Sequence, residues 1–193
     1  MVKQGRPRTE VLDTAILDAA TELVIADGYV ATSVDAIARR AGTTRQAVYR
    51  RHPSLPHILI AALSRRFGLD PATDTGSLRG DLLAVQRNQV EFFADHLVMR
   101  AIPGLLDAAA RDPEVGPQLF GAFVTPRRKS TVRALERAVE RGDIPGGYDA
   151  DWICDLLTGP LLMRALLPTG PIDEKLAQLT VDAALDVLNA TGV

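Results

Sequence analysis

Residues 32–52 read TSVDAIARRAGTTRQAVYRRH, and this stretch decides the fold. Its spacing predicts two short helices joined by a tight turn. Thr32 is placed to cap the first, with Asp35 three residues on as the acidic member of a capping-box-like pair. At about 100° per residue, Val34, Ile37, Ala38 and Ala41 share one arc while Asp35, Arg39 and Arg40 point away, so this helix is buried on one side. Gly42 ends it, because glycine reaches the left-handed conformation a helix C-terminus commonly needs. Thr43 or Thr44 can cap the next helix, in which Val48 lies opposite an arc of Arg45, Gln46, Tyr49 and Arg50. One apolar residue then holds the helix down while four hydrogen-bonding or cationic side chains face out, the division of labour that a major-groove reader needs. A merely solvated helix face carries the same polar arc. The two capped helices, the small turn and a third helix upstream separate the readings.

That third helix is predicted over 9–27, where Leu12, Ile16, Ala19, Ala20 and Leu23 recur at helical spacing and Asp27-Gly28 supplies the stop. Ile16, Leu23, Ile37 and Val48 form the expected common core. On the outward arc, Arg45 and Gln46 are expected to read base edges, and Thr44, Tyr49 and Arg51 to position the phosphate backbone, with Arg50 beside them. Ser33 is expected to touch a phosphate, because backbone donors and the helix dipole converge at the start of the first motif helix.

Gly28-Tyr29, Thr32-Ser33, Ile37-Ala38, Ala41-Gly42-Thr43-Thr44 and Tyr49-Arg50-Arg51-His52 stand in the register of a known pattern. Through them, residues from about Arg8 to Phe67 resemble the N-terminal domain of TetR-family transcriptional regulators. The remainder is similar to the family in length, in helical pattern and in Gly159-Pro160-Leu161 within a late apolar helix. Where many members carry a lysine that reaches phosphate, Pro53-Ser54 is followed here by Leu55-Pro56. The resemblance implies an all-α protein with an N-terminal three-helix helix-turn-helix domain and a C-terminal helical ligand-binding and dimerisation domain.

Composition agrees. Aromatic residues are few, at 5%, and helix-favouring Ala and Leu abound. The overall charge of −2 hides an asymmetry: residues 1–66 hold ten Lys and Arg against six Asp and Glu, whereas residues 67–193 hold twelve against eighteen. A basic head on an acidic body orients itself toward a polyanion. Residues 1–8, MVKQGRPR, read either as a flexible basic arm reaching the minor groove or phosphates, or as a plain disordered terminus. No signal peptide and no span of about twenty apolar residues is visible. The densest apolar stretch, Trp152 to Leu167, is interrupted by Asp155 and Arg164. The single cysteine, Cys154, suits a reduced cytoplasm and reads as a small core residue. His52, His57 and His96 show no metal spacing, and no cofactor is implied.

The helix-turn-helix domain is expected over 9–67, a turn-rich linker over 68–77, GLDPATDTGS, and the helical body over 78–193. In the body, Pro103-Gly104 is expected to interrupt a helix, and Thr125-Pro126 to bend or end one. Arg127-Arg128-Lys129 reads as a solvated face rather than a second nucleic-acid patch. Phe92, Phe93, His96, Met99, Phe120 and Phe123 would surround the family's effector pocket, against the competing reading that they are plain core. In the last helix, Lys175, Gln178, Asp182, Asp186 and Asn189 occupy an arc of roughly 80° and apolar residues nearly everything else. That excess, with the resemblance, predicts a dimer seam using Trp152, Leu156, Leu162, Leu185 and Leu188.

Two classes of function compete at this point. One is a cytoplasmic regulator, usually a repressor, that binds a palindromic double-stranded operator as a homodimer and is released by a small-molecule effector. The other is a helical enzyme or carrier with an incidental helix-turn-helix, against which stands the absence of a paired-carboxylate, HExxH, GxSxG, P-loop or Rossmann signature.

Overall fold

The computed structural model describes residues 8–67 and 73–190, with the side chains of Arg8, Thr9 and Ala190 left aside. The basic arm and half of the linker thus lie outside the described residues. Among the described residues the chain is all helix and loop, without a strand. The helices are α1 (Arg8–Asp27), α2 (Val34–Arg40), α3 (Arg45–Tyr49), α4 (Leu55–Phe67), α5 (Leu78–Ala94), α6 (His96–Arg111), α7 (Val115–Leu119), α8 (Thr125–Arg141), α9 (Ala150–Leu166) and α10 (Glu174–Ala190). None is long and apolar enough to cross a membrane.

The described residues pack as two compact units, 8–67 with 96–119, and 73–95 with 120–190. This division differs from a single body over 78–193. In the first unit α1 packs on α2, α4 and α6, and α4 on α6 and α7. Leu97, Val98, Ala101 and Leu105 of α6 are buried. Burying these side chains yields about 5–10 kcal/mol, more than the roughly 3 kcal/mol that a proline costs a helix interior, so α6 runs unbroken through Pro103. The expected interruption there does not occur. Gly104 is glycine for packing: a Cβ at that position would lie 2.2 Å from the Tyr29 ring. Arg100 then donates from Nη1 to Ile25 O at 2.7 Å, closing the C-terminal end of α1, which has no basic residue in its own last turn.

In the second unit α5 packs on α8, α9 and α10. A core of Leu78, Leu82, Leu135, Ile153, Leu157, Val181 and Leu188 fills the space between them. The Thr125-Pro126 bend takes the form of a π-helical turn over Phe120–Val124 that leads into α8, with Pro126 at its start where no N–H is needed. In α9 the interior Pro160 removes the helical donor to Leu156 O, and α5 adds side-chain hydrogen bonds to the same turn. Gln86 Nε2 donates to Leu157 O at 2.9 Å and to Thr180 Oγ1, and Thr158 Oγ1 donates to Gln89 Oε1 at 3.1 Å.

Leu188 is 1% exposed and belongs to this core, not to a seam. Leu156 and Leu185 are half-buried against the same core. Replacing Leu188 with Ala should therefore cost about 2–5 kcal/mol of stability, read as a fall in the urea midpoint, and should leave oligomeric state unchanged.

Asp81 is buried and anchors the loop before α5. Its Oδ1 accepts from Thr75 N (2.7 Å) and Thr75 Oγ1 (2.8 Å), and Oδ2 from Arg137 Nη2 (3.0 Å). Burial alone would raise its pKa, but the Thr75 and Arg137 hydrogen bonds and the Arg137 charge together hold it below the ordinary 3.8. A depressed carboxyl contributes stability that is present above the unfolded value and is lost as pH falls through the folded one. Asp81→Asn should lower stability at neutral pH by about 1–3 kcal/mol and flatten the stability profile below about pH 4, as measured by denaturant titrations across pH 2–7.

Candidate nucleic-acid interface

Helix α2 begins at Ser33, whose Oγ accepts from Ala36 N at 3.2 Å. Thr32, expected as the cap, is instead buried and donates from Oγ1 to Gly28 O at 2.8 Å, pinning the loop after α1. Both residues suit a cap chemically; the backbone turn decides between them. Gly42, at φ +64°, ends α2. Thr44 then caps α3, its Oγ1 accepting from Ala47 N at 3.2 Å. Ile37, Ala38, Ala47 and Val48 are buried. In α1, Ile16 and Val24 have no exposure, while Leu23, expected in the core, is only half-buried.

The outer face of α3 carries Arg45, Gln46, Tyr49 and Arg50, all exposed. Arg45 Nη2 donates to Tyr49 Oη at 3.1 Å, and Nη1 to Asp35 Oδ2 of α2 at 3.2 Å. The Tyr49 hydrogen bond and the Asp35 carboxylate both push the Arg45 pKa up. Thr44 and Ser33 are exposed at the two helix starts, with their side-chain oxygens engaged as caps. Arg51 is the exception among the seven expected residues. It is half-buried and folds back to donate from Nη1 to Ala47 O at 3.1 Å, closing the end of α3 instead of standing in the outward arc.

Sequence reasoning missed two contacts. His52 Nε2 lies 2.8 Å from Asp13 Oδ1, tying the end of α3 to α1. The Asp35–Arg45 pair was missed as well, since a helical wheel places Asp35 outward without saying what it meets. Two further cations are paired within the unit, Arg40 with Glu22 and Arg65 with Asp18. The acids in these pairs are among the six already set against the ten basic residues of 1–66.

The six expected effector residues do not gather in one unit. Phe92, Phe93 and Phe123 are buried in the second, with Phe92 5.7 Å from Phe123 and the Arg127 guanidinium 4.1 Å from the Phe92 ring. Phe120 in that unit is 52% exposed. His96 (exposed) and Met99 (half-buried) lie on α6 in the first. A shallow surface hollow of about 380 Å³ runs along α8, lined by Thr125, Arg128, Lys129, Val132, Arg133 and Glu136.

Two family descriptions match: "Bacterial regulatory proteins, tetR family" over residues 16–67 and "Tetracyclin repressor-like, C-terminal domain" over residues 72–184. The chain belongs to the tetR family. Its members are DNA-binding transcriptional regulators, not enzymes. The chain is 30% identical to the DNA-binding transcriptional repressor TetR of Mycobacteroides abscessus, over 100% of this chain and 99% of that one. Among solved structures it is similar to TetR family transcription regulator SCO0332, with 25% identity, TM-score 0.67, and 91% and 97% of the two chains covered. It also shares the fold of FadR from Bacillus subtilis, solved in complex with stearoyl-CoA, at 16% identity and TM-score 0.71 over 89% and 96%. The two family matches meet between residues 67 and 72, whereas packing carries α6 and α7 back to the DNA-binding helices.

In a tetR-family head whose recognition helix has five residues, the cap should matter more than usual. Thr44→Ala should cost about 0.5–2 kcal/mol, and Thr44→Asn should recover most of it, measured by thermal unfolding.

Proposed function

We propose that this chain is a repressor that binds a palindromic operator in the bacterial cytoplasm as a homodimer and lets go when a small-molecule effector binds its helical body. The observation that carries the reading is the outward face of α3. Arg45, Gln46, Tyr49 and Arg50 are exposed there while Val48 opposite is fully buried, so the reading side chains are presented by a helix that cannot rotate. Arg45 and Gln46 supply the bidentate donors and acceptors suited to guanine and adenine. Ser33, Thr44, Tyr49 and Arg50 serve the phosphates. The repressor named in Mycobacteroides abscessus supports the sign of regulation.

A dimer is needed because two recognition helices reach successive major grooves only when held about 34 Å apart. The seam in this proposal is a bare apolar stripe. Along α9, Trp152, Leu156, Gly159, Met163 and Leu166 recur every three or four residues on one side, with Trp152 52% and Met163 55% exposed. On α10, Leu179 (54%) and Ala183 are exposed. Trp152 and Leu156 lie along this stripe, Leu156 half-buried against the chain's own core. Leu162 sits on the flank of the stripe, and Leu185 and Leu188 face the chain's own core.

For the effector, an apolar small molecule suits the Phe92, Phe93 and Phe123 cluster, and the fold-mate FadR was solved with a molecule bearing a long acyl chain. Such a molecule must bind the DNA-incompetent state more tightly, and operator must weaken its binding by the same factor.

Selecting bound sequences from a random duplex pool, with sedimentation of the free protein, tests the reading. A palindrome with half-sites one helical turn apart and a dimer by sedimentation are expected. Met163→Asp should place a charge in the seam, give monomers that remain folded by circular dichroism, and weaken operator binding by more than about tenfold. Monomers that held the palindrome at parental affinity would remove the dimer from the mechanism.

A further inference from the structure

Arg45 is held at both ends. Its Nη1 meets the Asp35 carboxylate across the turn, its Nη2 meets the Tyr49 hydroxyl one helical turn on, and the guanidinium carbon lies 5.2 Å from the Tyr49 ring centroid. The Arg45 and Asp35 side chains are 58% and 50% exposed, and a pair so open to water contributes little to stability. Its effect lies elsewhere. A free arginine must surrender several rotamers to read a base, whereas one clamped in advance loses fewer on binding and arrives with its guanidinium plane fixed. Each terminal nitrogen carries two hydrogens, so Arg45 can keep both partners and still present donors to a base edge. The same Asp35 places a negative charge on the face that meets a polyanion, which weakens binding to every sequence alike.

We propose that Asp35 is a specificity-determining positioning residue: with Tyr49 it fixes the plane of the Arg45 guanidinium for one guanine, sharpening discrimination at that base while lowering affinity for DNA in general. The proposal rests on α3 entering the groove. It predicts that discrimination and affinity move in opposite directions when Asp35 is neutralised, which a purely structural role at the start of α2 would not produce.

The experiment uses the full chain. Wild type first selects its operator from a random duplex pool, and Arg45→Ala then identifies the position whose base preference depends on Arg45. Wild type, Asp35→Asn and Tyr49→Phe are titrated against the operator, its three variants at that position and an unrelated duplex, with thermal unfolding alongside. Asp35→Asn should cut discrimination at that one position about tenfold, tighten binding to the unrelated duplex about two- to threefold, and leave preferences elsewhere unchanged. Tyr49→Phe should cut discrimination at the same position by a smaller factor; it tests the clamp from the other side if Asp35→Asn unfolds. Unchanged preference in both variants, or equal weakening on every duplex, would overturn the proposal while leaving operator reading intact. So would an Arg45→Ala protein with the wild-type preference at every position. A wild-type chain that selects no sequence would overturn groove reading itself, and the proposal with it.

Discussion

A helix of five residues cannot hold itself together in water, and the N-terminal unit is arranged around that constraint. Nucleating a helical turn fixes several backbone angles for one hydrogen bond, so α3 (Arg45–Tyr49) depends on contacts outside itself. Thr44 caps its start, and Arg51 turns back onto Ala47 O near its end. Ala47 and Val48 bury its underside, and His52, just beyond its end, pairs with Asp13. Helix α2 has only seven residues and is in the same position. The rigid partner is α1, twenty residues long, which packs on α2 and α4 and meets them through Glu22–Arg40 and Asp18–Arg65.

That dependence changes how the charge of the head should be understood. Acidic residues on α1 and α2 sit where neighbouring helices need neutralising, so Arg40, Arg45 and Arg65 work within the fold before they meet anything else. The acids in these pairs are already subtracted in the formal excess over residues 1–66, so the pairs set where the remaining positive charge stands rather than how much of it there is. Orientation of α3 comes from packing and caps, which salt does not screen, rather than from a basic surface, which it does.

The motif was legible because each boundary carries its own chemistry: a hydroxyl cap, a glycine at positive φ and a single apolar residue beneath α3. Where two residues suit the same chemistry, sequence could not choose. Thr32 and Ser33 both suit a cap, and a one-residue difference in where the loop turns gave it to Ser33. Leu23 and Val24 are neighbours of similar character, and the rotation of α1 buried Val24. Pro103 misled because a local rule was outweighed by the tertiary burial of α6. The seam misled for a different reason. Helix α10 is apolar over most of its circumference, and a wheel ranks residues without knowing which arc meets the chain's own body, so Leu188 was placed outside while Leu179 was passed over. Gln86 and Gln89 gave no signal at all, since a polar residue buried to satisfy a neighbouring helix looks in sequence like one facing water.

The same asymmetry of information runs through α9. One side of that helix is specified from within: Ile153, Leu157 and Leu161 are buried, and Gln86 attends to the turn before Pro160. The other side is left open by the described residues. Trp152 and Met163 stand more than half exposed, and a Cβ built on Gly159 between them would meet no atom within 4 Å, so this chain's own packing does not require glycine there. Exposed singly, such residues would call for no account; recurring along one side of a helix, they form an apolar stripe that the described residues leave uncovered. A small residue at the middle of an apolar stripe is what lets two helix backbones approach closely. In the dimer proposed above a second copy of the same stripe would cover this surface, because a two-fold seam sets each residue against its own surroundings and needs only one surface to be built.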